Sequence, residues 1–406
     1  MSEDDYEVGE EGGSYTETTT ESWGERLMGS IKSVGTGALL FIVSFPVLWM
    51  NEGCAVKIAR GLSEGAGNVV AVDSSKFESA NEGKLVHMSG KAETSEMLKD
   101  VTFGISKSAI KLVRSVEMYQ WVEEKSSKSE KQLGGKKKTV TTYTYKKEWS
   151  STLKDSKSFR VKKDTKTGVY HTNPASMPYT GETYAAKEVK LGAYVLSPDL
   201  ISKIGGSKKI TLTEAELKNL PFSIKGRAKI HQGAIYIGSD PANPQVGDTK
   251  ISFEYVEPKE VSIVAQQKGK SFEAYKTKTG TSILMLSEGK KAAKDMFQAA
   301  QEGNAMRTWI MRLVGFLMMF FGLKMVFDPL VTLADVVPFI GSFLDIGIGL
   351  FAGLFAFGLS FLTIAIAWIF YRPLLGIGLL ILAGAAIGGA YYLKEQKAKE
   401  KQAAPA

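Results

Sequence analysis

Four apolar stretches constrain the fold of this chain more than any other feature, and they are distributed unevenly. One lies near the start, at residues 33–50, and three lie close together near the end, at residues 309–327, 343–369 and 374–393. About 20 apolar residues suffice for a helix to cross a bilayer. The mostly polar residues 51–305 separate the first stretch from the others. The sequence therefore predicts an α+β membrane protein with one N-terminal and three C-terminal transmembrane helices around a large β-rich extramembrane domain.

The two ends of the chain differ in charge. Residues 1–24 are acidic and rich in Glu, Thr, Gly and Ser, so we expect a disordered tail there. The apolar stretch that follows has no small-residue cleavage site after Pro46, which favours an uncleaved signal anchor. Residues 394–406 are rich in lysine and predict a basic cytoplasmic tail. Four spans then place both termini in the cytoplasm and the domain on the lumenal or periplasmic side.

The polar middle of the chain contains runs that are typical of strands. Val, Thr, Tyr and Trp are concentrated in residues 139–149, as in a strand with one face in water. Residues 125–138 are rich in Lys, Ser and Gly and predict a long solvated hairpin tip, in which Lys136, Lys137 and Lys138 could contact phosphates. Other predicted strands cover residues 84–88, 116–122, 189–196, 229–237, 249–255 and 261–267, and short helices are predicted at 198–203, 213–220 and 289–302.

Charged and small residues near the membrane are candidates for polar or packing sites. A charge in hydrocarbon is costly, so Asp345, Lys324 and Arg372 are the candidate intramembrane polar residues. An ion or relay site and plain interfacial placement both remain open for them. Residues 328–342 are apolar but contain two Asp and two Pro, which favours an interfacial or re-entrant segment. The predicted helix-packing positions form two small-xxx-small pairs: Gly349 and Gly353, and Gly384 and Gly388.

Patterns that would indicate catalysis, a cofactor or a metal are missing from the sequence. Cys54 is the only cysteine, so one chain can form neither a disulfide nor a thiolate cluster. The three histidines, His87, His171 and His231, are far apart in sequence. The string Gly269-Lys270-Ser271 lacks the earlier glycine of a phosphate-binding loop. We therefore predict no catalytic, cofactor-binding or metal-binding residues.

Three spaced strings are specific when taken together: NEGKLVH at 81–87, VEMYQW at 116–121 and FYRPL at 370–374. With them the chain resembles the transmembrane protein 43, or LUMA, family over residues 23–393. A bacterial member of the family would fit the same strings. The matching residues whose role is unknown are Asn51, Glu52, Gly53, Asn81, Glu82, Gly83, Glu117, Tyr119, Trp121, Tyr371, Arg372 and Pro373.

This resemblance implies a location and a kind of activity. It implies a four-span protein of the endoplasmic reticulum and inner nuclear membrane, with a lumenal domain, or of the cytoplasmic membrane in a bacterium. The family is described as self-associating and as organising membrane protein complexes, with lamins and emerin among its partners. No enzymatic activity comes with the resemblance.

We therefore predict a non-catalytic multi-pass scaffold that self-associates and organises membrane protein or lipid assemblies. Its expected partners are the lipid bilayer, further copies of the chain and other membrane proteins. The formal net charge of +8 fits either nucleic acid or an anionic lipid surface, and the predicted membrane attachment favours lipid, so no nucleic-acid partner is expected. Two alternatives stay open. One is a lipid-binding or lipid-transferring module, and the other is a channel or transporter, which would need a ring of subunits.

Overall fold

Long helices frame a β-rich domain in the computed structural model, which describes residues 5–7, 14–218, 220–374, 376–378 and 381. The long helices are α1 (Trp23–Asn68), α5 (Ala293–Ala334) and α6 (Pro338–Tyr371). The short helices are α2 (Pro198–Lys203), α3 (Glu214–Leu217) and α4 (Phe222–Lys225), with single 3-10 turns at Ser79–Asn81 and Ser156–Ser158.

All three long helices are long and apolar enough to cross a membrane. They contain the predicted spans 33–50, 309–327 and 343–369. Helix α1 is far longer than its span, because its 46 residues extend over about 69 Å. Ser22 and Glu25 form a capping box at its start, which fixes where the helix begins. Almost all of the predicted fourth span, residues 374–393, and the basic tail lie outside the described residues.

The segment predicted to be interfacial or re-entrant, residues 328–342, contains the end of α5, a short turn and the start of α6, and its position in the membrane stays a prediction. Helix α5 continues through Pro329 to Ala334, and α6 begins at Pro338. Val337 adopts an extended conformation because the following proline disfavours a helical one. Only residues 335–337 therefore separate α5 from α6, and the two helices form an antiparallel hairpin.

Twenty strands build the rest of the described chain, as predicted for its β-rich middle. Their bounds are β1 Asp5–Glu7, β2 Ser14–Glu21, β3 Val70–Ala71, β4 Leu85–Glu93, β5 Met97–Lys99, β6 Ser106–Ser108, β7 Lys111–Lys131, β8 Lys137–Ser150, β9 Glu182–Ala185, β10 Lys190–Leu191, β11 Tyr194–Val195, β12 Lys208–Ile210, β13 Ala228–His231, β14 Ala234–Ile237, β15 Thr249–Val256, β16 Lys259–Lys268, β17 Ser271–Glu273, β18 Tyr275–Lys276, β19 Ser282–Ile283 and β20 Met285–Glu288.

Two sheets enclose the main core of the domain. The first has the order β1-β2-β8-β7-β15-β14-β13, with β12 also on β15 and β9 also on β7. The second has the order β11-β10-β4-β16-β17, with β20 on β16 and β3 parallel to β4. Both sheets contribute to one buried cluster, to which β7 supplies Leu112 and Val116 and β16 supplies Val261 and Ile263. The alternation of buried and exposed residues along β7 and β15 follows from this one-sided burial.

The domain packs directly against the water-side ends of α1 and α5. Leu62 of α1 and Phe297 of α5 share a buried cluster with Val264 and Ile283 of the domain. Gly61 faces Thr281 so closely that an added Cβ would lie 2.5 Å from the threonine Cβ. The first and second membrane helices thus continue into the domain and hold it in a defined position.

Strands β7 and β8 extend much further than the sequence indicated. The predicted solvated tip, residues 125–138, is mostly ladder, and only residues 132–136 form the turn between the strands. The prediction of a disordered tail is also wrong for residues 14–21, because all eight residues of β2 pair antiparallel with β8. Thr and Tyr suit a half-exposed strand, so the polar composition that suggested disorder is also that of a strand with one open face. We call β1, β2, β8 and the outer part of β7 the ribbon.

Glycines allow α1 and α5 to approach closely within the bundle. An added Cβ at Gly37 would lie 2.8 Å from the carbonyl oxygen of Gly322, and one at Gly322 would lie 2.7 Å from the backbone nitrogen of Phe41. The predicted position Gly349 has no neighbour within 4 Å, and Gly353 meets only the Phe320 ring. Helix α6 packs instead through other small residues, which include Ala352, Ala356, Ser360 and Ala367. A role for Gly349 and Gly353 between chains stays a prediction, and Gly384 and Gly388 lie outside the described residues.

We expect Gly322→Ala to lower the free energy of unfolding by about 1–3 kcal/mol, because the methyl group would push α5 away from the α1 backbone. The measurement is the thermal unfolding of the purified chain in detergent. Gly349→Ala is the matched control and should leave stability unchanged or raise it slightly, since alanine favours a helix. Equal behaviour of the two variants would contradict the close α1–α5 contact.

Candidate functional site

A buried ionic cluster joins the three long helices at the end of the bundle that faces the domain. Glu52 of α1 is fully buried, and its carboxylate accepts hydrogen bonds from Arg312 Nε at 2.6 Å and Arg312 Nη2 at 2.9 Å. The indole Nε1 of Trp368 on α6 donates to the same carboxylate at 2.7 Å. We call Glu52, Arg312, Trp309 and Trp368 the interfacial cluster. It satisfies the buried carboxylate with three donors, which a charge needs when it leaves water.

The tryptophans of the interfacial cluster also contact the Arg312 guanidinium. Its carbon lies 4.6 Å from the centre of the Trp309 ring and 5.6 Å from that of Trp368. Arginine suits this position because a planar guanidinium can bind a carboxylate in bidentate fashion and contact aromatic faces at the same time. Tryptophan suits the boundary of a bilayer because it is apolar with one polar donor.

Two of the strings that suggested the family meet at the interfacial cluster. Asn51 donates to the Thr308 carbonyl at 3.2 Å, and Gly53 faces the Tyr371 ring so closely that a Cβ would lie 2.7 Å from it. Arg372 extends over Trp368 at 5.9 Å, just before Pro373 and after the end of α6. The strings are about 320 residues apart in the chain, and the antiparallel helix hairpin brings them together.

A second polar cluster lies at the opposite end of the bundle. Asp335 is fully buried in the turn between α5 and α6, where it pairs with Arg26 of α1 and with Lys131 Nζ of β7 at 2.8 Å. Trp23 Nε1 donates to the Thr332 carbonyl at 2.9 Å. We call Trp23, Arg26, Lys131 and Asp335 the tip cluster. It joins the turn of the ribbon to the helices.

The turn between β7 and β8 is shaped for this contact. Gly134 donates its backbone N–H to the Val336 carbonyl at 3.1 Å, and the Gly135 carbonyl accepts from Arg26 at 2.6 Å. Gly135 has a φ of +76°, and a Cβ there would lie 2.3 Å from the Trp23 ring. Glycine is therefore required at residue 135 both by the backbone conformation and by the space available.

The structure brings together two of the three predicted intramembrane polar residues. Lys324 of α5 and Asp345 of α6 form an ion pair of 3.2 Å, and both side chains are partly exposed. Asp345 is therefore paired and only partly buried. Arg372 lies apart from them, near the interfacial cluster.

The string Asn81-Glu82-Gly83 shapes a turn in the domain. Asn81 donates to Glu78 at 2.9 Å, and Glu82 accepts from the Gly269 N–H at 2.8 Å. Gly83 has a φ of +73°, which favours glycine. These contacts hold the turn before β4 against β16, so this string has a structural role within the described chain.

The string that contains Glu117, Tyr119 and Trp121 anchors the base of the ribbon. Glu117 pairs with Lys250 at 2.6 Å, and the Tyr119 ring lies 5.3 Å from that of Trp149. Trp121 pairs through its backbone N–H and carbonyl with the side-chain amide of Asn173, at 2.8 and 2.9 Å. Asn173 thereby takes the place of a neighbouring strand.

His171 is buried among the aromatic rings at the base of the ribbon. Its ring stacks on Tyr145 at 4.1 Å and lies 4.7 Å from Trp121. Its Nδ1 is 2.9 Å from the Val161 carbonyl. Burial and a hydrogen bond to Glu123 raise the pKa of the Tyr145 hydroxyl above its ordinary value, so Tyr145 stays neutral. In the part of the chain that the structure describes, no group of three or more His, Cys, Asp or Glu could hold a metal ion.

Sequence reasoning missed several members of both clusters. Arg26 precedes an apolar stretch and Arg312 lies in the first turn of one, as many residues at a membrane boundary do, and nothing local distinguishes them. Asp335 was assigned to a re-entrant segment and Lys131 to a solvated loop. A usable signal was present at Glu52, because an acidic residue directly after an apolar span needs a cationic partner.

Comparison with known proteins confirms the family that the sequence strings suggested. The model of a family described as transmembrane protein 43 matches residues 118–373, more than half of the chain. The chain belongs to the transmembrane protein 43 family. No solved structure matches it.

Relatives in the family cover nearly the whole chain. Transmembrane protein 43 of Mus musculus is 36% identical over 361 residues, which are 86% of this chain and 87% of that protein. The Homo sapiens protein is 35% identical over 374 residues, 89% and 90% of the two chains. The transmembrane protein 43 homolog of Drosophila melanogaster is 30% identical over 367 residues, 86% and 91% of the two chains.

We expect Glu52→Gln to lower the free energy of unfolding by about 3–5 kcal/mol, because it leaves Arg312 buried without its carboxylate. Thermal unfolding in lipid nanodiscs measures the effect. The control is Glu93→Gln, which removes a carboxylate from an exposed ion pair with Lys91 and should cost less than about 1 kcal/mol. Similar losses in the two variants would contradict a structural role for the interfacial cluster.

Proposed function

We propose that this family member is a non-catalytic membrane scaffold that self-associates and gathers other membrane proteins or lipids around its domain. In a eukaryotic cell its place would be the endoplasmic reticulum and inner nuclear membrane, and in a bacterium the cytoplasmic membrane. Support comes from the way the domain is held: α1 and α5 continue from the bundle into it, and the interfacial cluster joins α6 to both. Such a unit presents a domain to partners at a constant height above the bilayer.

The observation that carries self-association is the path of the ribbon. Its base belongs to the domain, and its turn contacts the far end of the bundle at the tip cluster. From Met118 to Lys131 the strand extends about 43 Å. Along α1, Arg26 and Glu52 are separated by about 39 Å, slightly more than the hydrocarbon thickness. The ribbon therefore runs beside the apolar helices at membrane depth.

A polar ribbon at this depth cannot face lipid. Its outer strand, residues 123–131, contains Glu123, Glu124, Lys125 and Lys128. Among the described residues, no strand pairs with the outer edge of this segment, so its backbone groups are open. Unpaired backbone groups in hydrocarbon cost several kcal/mol each, and irregular or open β structure at membrane depth occurs only inside protein or along water.

A second copy of the chain can cover the polar side chains and the open backbone groups of the ribbon. Copies arranged with their ribbons inward would place the polar strands against one another or along water and leave the apolar helices facing lipid. The open edge of residues 123–131 offers backbone groups for such pairing. A docked ribbon therefore favours an assembly over a single embedded chain.

The same arrangement keeps the channel alternative open. Ser127 and Thr141, and Ser129 and Thr139, pair through their hydroxyl groups at 3.1 and 2.9 Å on one face of the ribbon. Ribbons that meet along water would line a polar passage with these hydroxyls. Ion flux through reconstituted vesicles, absent in protein-free vesicles, would move the proposal from scaffold to channel.

The first test asks on which side of the membrane the ribbon turn lies. In a Cys54→Ser background, Leu133→Cys marks the turn, Lys187→Cys the domain and Val336→Cys the far end of the bundle, and each position is exposed. Sealed vesicles are labelled with a membrane-impermeant maleimide. We expect the cysteine at 133 to react from the same side as the one at 336 and from the side opposite to the one at 187. Reaction of 133 and 187 from one side would contradict the docked ribbon in the membrane.

The second test measures assembly directly. Native mass spectrometry of the chain released from nanodiscs should show a defined oligomer, and Asp335→Asn should shift it toward monomer because the tip cluster loses the charge that both Arg26 and Lys131 contact. Glu130→Gln, on the exposed ribbon surface beside Lys131, is the control and should leave the oligomer unchanged. A monomer at all concentrations in the unmodified protein would overturn self-association.

A further inference from the structure

Two adjoining cavities at the domain-facing end of the bundle differ in polarity. The larger one, about 630 Å³, is a groove between α5 and α6 with walls that include Leu313, Phe316, Phe357 and Phe361. The smaller one, about 200 Å³, lies toward the domain and is lined by alanines together with the polar residues Gln301, Asn304 and Arg372; we call it the polar cavity. Trp309 and Arg312 line both cavities. The two spaces therefore adjoin at the interfacial cluster.

Their arrangement matches the two parts of a phospholipid. The groove is exposed on the outer face of the bundle, where Leu313, Phe357 and Phe361 are each more than half exposed, so it opens toward the acyl chains of a bilayer. The polar cavity lies at the level of Glu52 and Ala55, where the apolar span ends and headgroups are expected. One molecule with an apolar chain and a polar head could occupy both cavities.

The charges around the polar cavity determine which kind of lipid headgroup it can bind. The charge of Arg312 is matched by Glu52. Within the described residues, no carboxylate lies within ion-pair distance of the Arg372 guanidinium, which contacts the Trp368 ring. Arg60 donates to the Tyr371 carbonyl at 2.8 Å and adds a second cation beside the end of α6. An anionic phosphate would find a net positive charge here, and arginine binds phosphate in bidentate fashion.

We propose that this site binds an anionic glycerophospholipid, with an acyl chain in the α5–α6 groove and the phosphate at Arg372. Trp309 and Trp368 form the boundary between the two parts, and the Glu52 carboxylate keeps Arg312 oriented there. The lipid would fasten the end of α6 to α5 next to the domain. This inference names a lipid for the proposed scaffold and requires only an embedded bundle, whether or not copies associate.

The test uses the full chain in nanodiscs made from phosphatidylcholine with one fifth phosphatidylserine. Native mass spectrometry counts the phosphatidylserine molecules that remain bound, and the same spectra report the oligomer. We expect retention of phosphatidylserine over phosphatidylcholine in the unmodified chain. Arg372→Gln should reduce that preference about fivefold, the effect of removing one arginine near an anionic lipid. Ala365→Trp, which fills the groove at an exposed position, should reduce retention of both lipids.

Arg307→Gln is the matched control, because Arg307 is an exposed arginine of α5 that lines different cavities, near Cys54 and Lys57. It should keep the preference for phosphatidylserine, and thermal unfolding should show that all variants remain folded. Equal losses in Arg372→Gln and Arg307→Gln would overturn the site in favour of general surface charge. Displacement of bound phosphatidylserine by millimolar inorganic phosphate would indicate that the site binds a headgroup without an acyl chain. That result would overturn the proposed chain in the groove. If Arg372→Gln loses the preference for phosphatidylserine while its oligomer is unchanged, lipid binding and self-association are independent, and each can be tested without the other.

Discussion

The close antiparallel contact between α1 and α5 is the interaction on which the rest of the structure depends. Gly37 and Gly322 bring the two backbones together in the bundle, and the same two helices continue to Leu62 and Phe297, where the domain packs. Helix α6 then adds to this pair through small residues and through the indole of Trp368. The domain, the interfacial cluster and the lipid-facing groove all take their positions from one helix pair.

The buried ion pairs of the helix bundle lie at its two ends. Glu52 and Asp335 are both fully buried carboxylates, and each is contacted by residues of two other segments. A buried carboxylate adds little net stability over a well-packed apolar group, but it strongly disfavours any arrangement in which its partners are absent. The two clusters therefore act mainly to specify which segments pack together. Their contribution to the free energy of unfolding is secondary.

Much of the architecture could be predicted from local pattern. The apolar lengths predicted three helices that the structure contains, and alternation predicted strands such as β15 and β16 within a few residues. Long-range pairing could not be predicted. Strand β2 has a polar composition typical of disorder, and its pairing with β8 depends on a neighbour more than 115 residues away.

The sites show the same division between local and distant information. Glu52 and Arg372 could be singled out because each belongs to a family string next to an apolar span, but their common location required the helix hairpin. Gly349 belongs to a small-xxx-small pair and Gly322 does not, yet Gly322 is the one that meets a neighbouring helix backbone. Motif spacing indicates which face a glycine occupies on its own helix, not which surface lies opposite.

Helix α1 is one uninterrupted helix from Trp23 to Asn68. The number of residues between the bundle and the domain therefore determines on which side of the bundle axis the domain lies. Each residue of an α-helix turns the chain by about 100°. A single insertion between the bilayer and the domain would therefore carry the domain to another side of the bundle, while the height above the membrane would change by only about 1.5 Å. Helix α5 would resist that rotation. The helix pair therefore constrains the orientation of the domain around the bundle axis more strictly than its height above the membrane.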